Sequence, residues 1–181
     1  MDLRHALDPF VSPFYCLRGF GFKAQPLAIP IEESATYFNL PRRILKLYPD
    51  SKLLPGDIVR DETSKKLYFA GENGPSLFHG QIIHKTMKLF EITHPNATLE
   101  SRVQSNDSVT GLKKSLTYDE STIKAVIEFT KMSEDEMRIG SDLVRIITSV
   151  PLKPADRVNG YTIVNAEPQL GLYFSTARKG G

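Results

Sequence analysis

The side chains best suited to hold a metal or to attack a substrate are few in this sequence and lie far apart. Its histidines are His5, His79, His84 and His94. No two of them stand four residues apart, the spacing that puts two imidazoles on one helix face, and no cysteine cluster accompanies them. His79 and His84 fall on opposite parities, so on one strand they would point to opposite faces. The single cysteine, Cys16, sits between Tyr15 and Leu17, a setting for a small buried hydrophobe and not for a thiolate poised beside a base. One cysteine makes no intrachain disulfide, so no oxidising compartment is implied. Glu32-Glu33 and Glu134-Asp135-Glu136 are merely adjacent, whereas acid–base catalysis needs two carboxylates that converge. Ser141-Asp142 follows Gly140 without a Gly-x-Ser-x-Gly elbow. Gly71-Glu72-Asn73-Gly74 lacks the Lys-Ser/Thr of a phosphate loop, and Gly19-Phe20-Gly21 lacks the rest of a dinucleotide fingerprint; both read as turns. No catalytic residue, metal ligand or cofactor-binding residue is assigned. The expectation is a non-enzyme without a cofactor, the alternative being an enzyme whose site forms only in the fold.

Chemistry being absent from the motifs, the elements and their surfaces carry the reading. A chain of 181 residues with 40% apolar and 24% charged residues suits one domain, or one domain plus an appendage, with a core of its own. No apolar run approaches the roughly 20 residues of a membrane span. Met1-Asp2-Leu3-Arg4-His5 is not the start of a signal peptide, so a soluble protein made in a cytoplasm, with no membrane partner, is expected. The formal charge of +2 argues against a bulk nucleic-acid binder, but the charge is unevenly placed. Residues 41–52 are basic through Arg42, Arg43, Lys46 and Lys52. Residues 117–142 are acidic through Asp119, Glu120, Glu128, Glu134, Asp135, Glu136 and Asp142. These are either two solvated faces or complementary patches that meet between copies of the chain.

Residues 1–50 hold Phe10, Phe14, Tyr15, Phe20, Phe22, Tyr37, Phe38 and Tyr48, interrupted by Pro9, Pro13, Pro26, Pro30 and Pro41. The prolines rule out a long helix, and the aromatics argue against disorder. An extended arm is expected, lying on its own domain or docked on a neighbouring subunit through Phe10, Phe14, Tyr15, Phe20 and Phe22. Pro41 at a first-turn position, followed by Ile44, Leu45 and Tyr48, suggests one short helix.

A β-rich domain is expected over 51–181. Pro55-Gly56-Asp57 turns into a strand at Ile58-Val59, and Asp61 to Lys65 forms a hairpin turn with Leu67 to Ala70 returning. Residues 94–117 read as a polar excursion or a short hairpin. Residues 118–132 fit a strand better than a helix because of their β-branched content. Leu143 to Ile147 is an apolar strand, Asn159-Gly160 between β-prone pairs is the strongest hairpin signal, and Leu172 to Thr176 is the last strand before a frayed basic tail from Arg178 and Lys179. Leu54-Pro55-Gly56-Asp57-Ile58-Val59 and Lys153-Pro154-Ala155-Asp156-Arg157-Val158 share a Pro-small-Asp-x-Val frame, which suggests two β-units of similar topology. The fold class is thus mainly β: a small barrel or sandwich of short antiparallel strands, with an N-terminal arm and at most one or two short helices.

The aromatic arm, the Leu54-Pro55-Gly56-Asp57-Ile58-Val59 strand entry, the short meanders, the polar mid-chain excursion and the basic tail resemble the head-completion, or head-to-tail connector, proteins of tailed bacteriophages. That resemblance implies a homo-oligomeric ring in the virion neck, contacting portal, adaptor or tail proteins. Arg42, Arg43, Lys46, Arg178 and Lys179 would then be the candidates for non-specific DNA contact. A nucleic-acid-binding β-barrel is the alternative from another class.

Overall fold

The computed structural model describes residues 11–27, 43–78, 81–103, 117–129 and 143–179 of the protein. Every regular element among them is a β-strand, and the strands form two closed six-stranded barrels. The first is built from β1 (Ser12–Cys16), β2 (Phe20–Leu27), β3 (Arg43–Leu47), β4 (Ile58–Asp61), β5 (Leu67–Phe78) and β6 (Gln81–Glu91). The second is built from β7 (His94–Val103), β8 (Thr117–Phe129), β9 (Leu143–Thr148), β10 (Arg157–Val158), β11 (Tyr161–Gln169) and β12 (Leu172–Lys179).

The neighbour order is β1-β2-β3-β6-β5-β4 in the first barrel, closed by β4 pairing with β1. In the second it is β7-β8-β9-β12-β11-β10, closed by β10 pairing with β7. Adding six to each strand number converts one order into the other, so the barrels share one topology. Each contains a Greek key, since the fourth strand lies beside the first in the order 4-1-2-3. Each strand has a hydrogen-bonded neighbour on either side, which closes both barrels.

Alternation of side chains explains which residues fill each interior. On β1 Phe14 and Cys16 are buried, on β3 Leu45 and Leu47, and on β6 Met87 and Leu89. With Ala24, Val59, Tyr68 and Ala70 they make the first core. On β8 the inward series is Ile123, Ala125 and Ile127, and on β9 Val144 and Ile146; Leu99, Val158, Ile163 and Ala177 complete the second core. Six strands enclose too little space for anything but side chains, so both barrels are packed solids and not channels.

The two Pro-small-Asp segments occupy equivalent places, immediately before the closing strands β4 and β10. Asp57 and Asp156 are both buried. In each, a carboxylate oxygen accepts the N–H three residues earlier, from Leu54 and from Lys153, both at 2.8 Å. The backbone repeats the same pattern: Gly56 N–H to the Ala70 carbonyl and Ala155 N–H to that of Ile163, then Ala70 N–H to the Asp57 carbonyl and Ile163 N–H to that of Asp156. The residue before each aspartate takes a left-handed conformation, with φ of 88° at Gly56 and 75° at Ala155.

The chain divides into two compact units, one of residues 1–93 with 168–172 and the other of residues 94–167 with 173–181. The division expected near residue 50 therefore falls at 93/94 instead. The supposed arm is corrected too: Ser12–Cys16, Phe20–Leu27 and Arg43–Leu47 are three staves of the first barrel. The short helix expected after Pro41 is β3, because Leu45 and Leu47, two residues apart, are the buried pair. The polar stretch 94–117 begins as β7, and residues 104–116 lie outside the described residues. The supposed frayed tail is also part of a strand, with Arg178 paired opposite Leu143 on β9. The β8 strand and the β10–β11 hairpin are as expected, Asn159 and Gly160 taking φ of 49° and 78° as a tight hairpin turn requires.

Removing either carboxylate strips a buried turn of its acceptor. Asp57→Ala and Asp156→Ala are each expected to lower stability by about 1.5–3 kcal/mol, read as a shift in urea midpoint, whereas Asp119→Ala on the exposed part of β8 leaves it within about 0.5 kcal/mol.

Candidate functional surfaces

Because the barrel interiors are filled, the surfaces open to a partner among the described residues are outer faces and barrel rims. At one rim of the first barrel the β1–β2 turn brings Arg18 to Asp57 in a two-pronged ion pair, Nε to Oδ1 at 2.6 Å and Nη2 to Oδ2 at 2.7 Å. The same Nη2 donates to the Lys52 carbonyl at 2.7 Å. The guanidinium also lies 5.3 Å from the centre of the Phe20 ring. Phe20 is tilted against Phe22 at 6.1 Å, and Phe22 stacks on the buried Phe14 at 5.7 Å. Beside this aromatic row runs an open groove of about 320 Å³ lined by Phe20, Gly21, Phe22, Lys23, Tyr48, Asp50, Ser51 and Lys52.

At another point of the same barrel Asp61 organises the β4–β5 turn. Its Oδ1 accepts the N–H groups of Thr63 and Ser64, and its Oδ2 accepts the Ser64 hydroxyl and the Arg43 guanidinium, both at 2.8 Å. Burial alone would raise this carboxyl, but the Thr63 and Ser64 donors and the Arg43 charge outweigh it and hold the group below the usual carboxylate range. Arg43 is thereby committed to an internal pair.

The outer face of β3 and β6 carries an uncompensated basic strip. Lys46 pairs with Thr86 across the ladder, which sets His84 and Lys88 on its two diagonals. Cross-strand diagonals are roughly 7–8 Å apart. Neither Lys46 nor Lys88 makes an ion pair among the described residues. Burial, then the nearby Lys46 charge, push the His84 imidazole below its ordinary value. In the second barrel the like-charged Glu100 and Glu120 face each other across β7 and β8. Glu100 leans to Arg157 at 3.6 Å, whose guanidinium also covers the Tyr118 ring at 4.9 Å. Glu120 and its neighbour Asp119 are exposed and form no ion pair among the described residues.

The expected docking aromatics separate on this geometry. Phe14 is 1% exposed and belongs to the core, so its ring offers no docking face. Tyr15 is half-buried with Arg60 over its ring at 5.4 Å. Phe20 and Phe22 reach the groove, and Phe10 lies outside the described residues. Of the candidate DNA-facing cations, Lys46 is on the outer strip, Arg178 and Lys179 are exposed at the end of β12, Arg43 is turned to Asp61, and Arg42 lies outside the described residues. Of the acidic stretch 117–142, residues 130–142 lie outside them as well. Cys16 is fully buried, and burial raises its thiol, which disfavours the thiolate. Among the described residues no three His, Cys, Asp or Glu side chains converge as a metal site. No helix there is long and apolar enough to cross a membrane.

Lys23 and Lys88 were not singled out from the sequence, whereas Lys52 was named in the basic stretch 41–52. Only the barrel closure brings Phe20-Gly21-Phe22-Lys23 and Tyr48 to Lys52 together. No protein-family model, no curated protein and no solved structure matches the chain significantly.

The depressed Asp61 carboxyl ties stability to acid. Its ionised form contributes in full above the unfolded value near 3.8, and the contribution is lost as pH falls through the lower folded value. Asp61→Asn is expected to be less stable than the parent at pH 6 and to show a shallower loss of stability below about pH 4, as followed by urea denaturation across pH.

Proposed function

We propose that this protein is a structural assembly protein whose copies join head to tail through their outer faces. The neck of a tailed phage is the setting that the sequence resemblance implies, with a ring of copies meeting portal, adaptor or tail proteins around DNA. The observation that carries the reading is the segregation of unpaired charge. Lys46 and Lys88 stand on the β3–β6 face of the first barrel, and Glu120, on the outward parity of β8, stands on the second. A ring is built from heterologous contacts, in which two different surfaces of one subunit meet. Opposite charges on different barrels serve that purpose, since like faces repel and unlike faces attract, fixing polarity. The filled interiors and closed ladders support the same reading. A closed barrel offers little edge for adding strands, so contacts fall chiefly to side chains on its outside.

Light scattering on a sizing column measures the assembly directly. The full chain is expected to run as an oligomer at low salt and to dissociate as salt rises past the Debye screening regime of about 0.15 M. Lys46→Glu with Lys88→Glu is expected to yield monomer, and adding Glu120→Lys is expected to restore part of the oligomer. A monomeric parent at every salt concentration, with portal and tail proteins also present, would end this reading.

A further inference from the structure

We infer that the rim groove of the first barrel is a binding site for single-stranded nucleic acid. The proposal uses residues other than those of the charged strip and stands whether or not the chain assembles.

Three features of the groove define its occupant. First, Phe20 and Phe22 from β2 lie along it with Tyr48 from the segment after β3, so its floor is aromatic. Such a floor accepts planar rings, and every base has a π-face, so stacking needs no particular sequence. Second, Lys23 and Lys52 stand exposed in the same lining, and neither side chain makes an ion pair among the described residues. Aromatic side chains and two exposed lysines in one lining match bases joined to phosphates, and match neither a neutral sugar nor an acidic peptide without rings. Third, the groove is only partly enclosed and small, about 320 Å³, at the low end for a pocket that encloses a whole ligand. A strand that passes through, placing one or two nucleotides at a time, suits it better than an enclosed mononucleotide.

The rim is also preorganised. Arg18 is fixed by Asp57, and through its second donor bond it holds the Lys52 carbonyl, so the backbone carrying Lys52 is tied to the barrel. The same guanidinium lies over Phe20. Phe22 is backed by Phe14. Asp50 lies in the lining as well.

The test is fluorescence anisotropy with the full chain and a labelled oligothymidylate of about twenty nucleotides at low salt. Four comparison probes accompany it: the abasic strand of the same length, a duplex, polyglutamate and free phosphate. Two neutralised phosphates predict a log–log salt slope of about −1.4. Lys23→Glu with Lys52→Glu, both exposed and safe for folding, is expected to flatten that slope and weaken binding at least about tenfold. Phe20→Leu keeps apolar volume but removes the ring, and is expected to cost at least about fivefold with the slope unchanged. The abasic strand is expected to bind correspondingly worse, a readout that depends on no variant. Absence of binding by the parent at low salt overturns the proposal. So does equal binding of the abasic strand, the duplex or polyglutamate, which would reduce the site to general attraction for polyanions, and so does an affinity that the lysine pair leaves unchanged.

Discussion

Each barrel closes through a strand that begins one residue after a buried aspartate, and the rest of the architecture depends on that carboxylate. β4 has only four residues and β10 only two, yet each must pair on both sides to complete its barrel. Strands so short cannot set their own register. The Asp57 and Asp156 side chains do it for them by holding the N–H of the residue three positions earlier, which folds the preceding turn and aims the strand. The carboxylates are buried where a lost partner is costly, so the turn has one low-energy form. A left-handed residue must precede each aspartate. Glycine satisfies this at position 56 without strain, and alanine at 155 accepts a conformation that residues with a Cβ rarely adopt. At 56 a side chain would also meet the Gly171 carbonyl at 3.1 Å.

This anchor was the part of the fold most legible in the sequence. The shared Pro-small-Asp-x-Val frame suggested two β-units of similar topology, and the two barrels share one, although the boundary at 93/94 was not read from it. Also legible were the strand character of 117–129, the Asn159-Gly160 hairpin and the apolar β9, because each is written in local periodicity or turn chemistry. The N-terminal region was misread for a physical reason. Prolines were taken as marks of an arm, since a proline lacks the N–H that a ladder needs. Pro13 and Pro26, which lie among the described residues, are each paired on one side, with Lys23 and Leu45, and stand past the end of the ladder on the other. Pro13 precedes the first β1–β4 pair, Phe14 with Asp61, and Pro26 lies beyond the last β1–β2 pair, Ser12 with Ala24. Pro75 and Pro95 fall at the register shifts of β5 against β6 and of β7 against β8. Such positions tolerate proline at little expense. The aromatics of the same region were correctly seen as needing a surface to lie on, but for Phe14 that surface is the protein's own core.

The surfaces were harder to read than the fold, because charge along a chain does not say which residues face each other. Arg43 and Lys46 are three apart in the sequence, yet one closes an internal ion pair with Asp61 and the other faces outwards beside Thr86. The basic strip joins Lys46 to Lys88, more than forty residues away. Only the antiparallel register of β3 against β6 makes them neighbours.

The two closing aspartates also show how a duplicated unit acquires a feature that its twin lacks. At Asp156 the spare carboxylate oxygen accepts a backbone N–H, that of Arg102, at 3.2 Å. At Asp57 the corresponding capacity is taken by the Arg18 side chain. A backbone donor completes the turn and does nothing more. A guanidinium has donors to spare, and Arg18 spends one on the Lys52 carbonyl and lays its charged plane over Phe20. The interaction that closes the first barrel thus also fixes the Lys52 backbone and contacts the Phe20 ring, both of which line its groove. Stability and surface shape are coupled there through one side chain, whereas in the second barrel the same turn is satisfied from within.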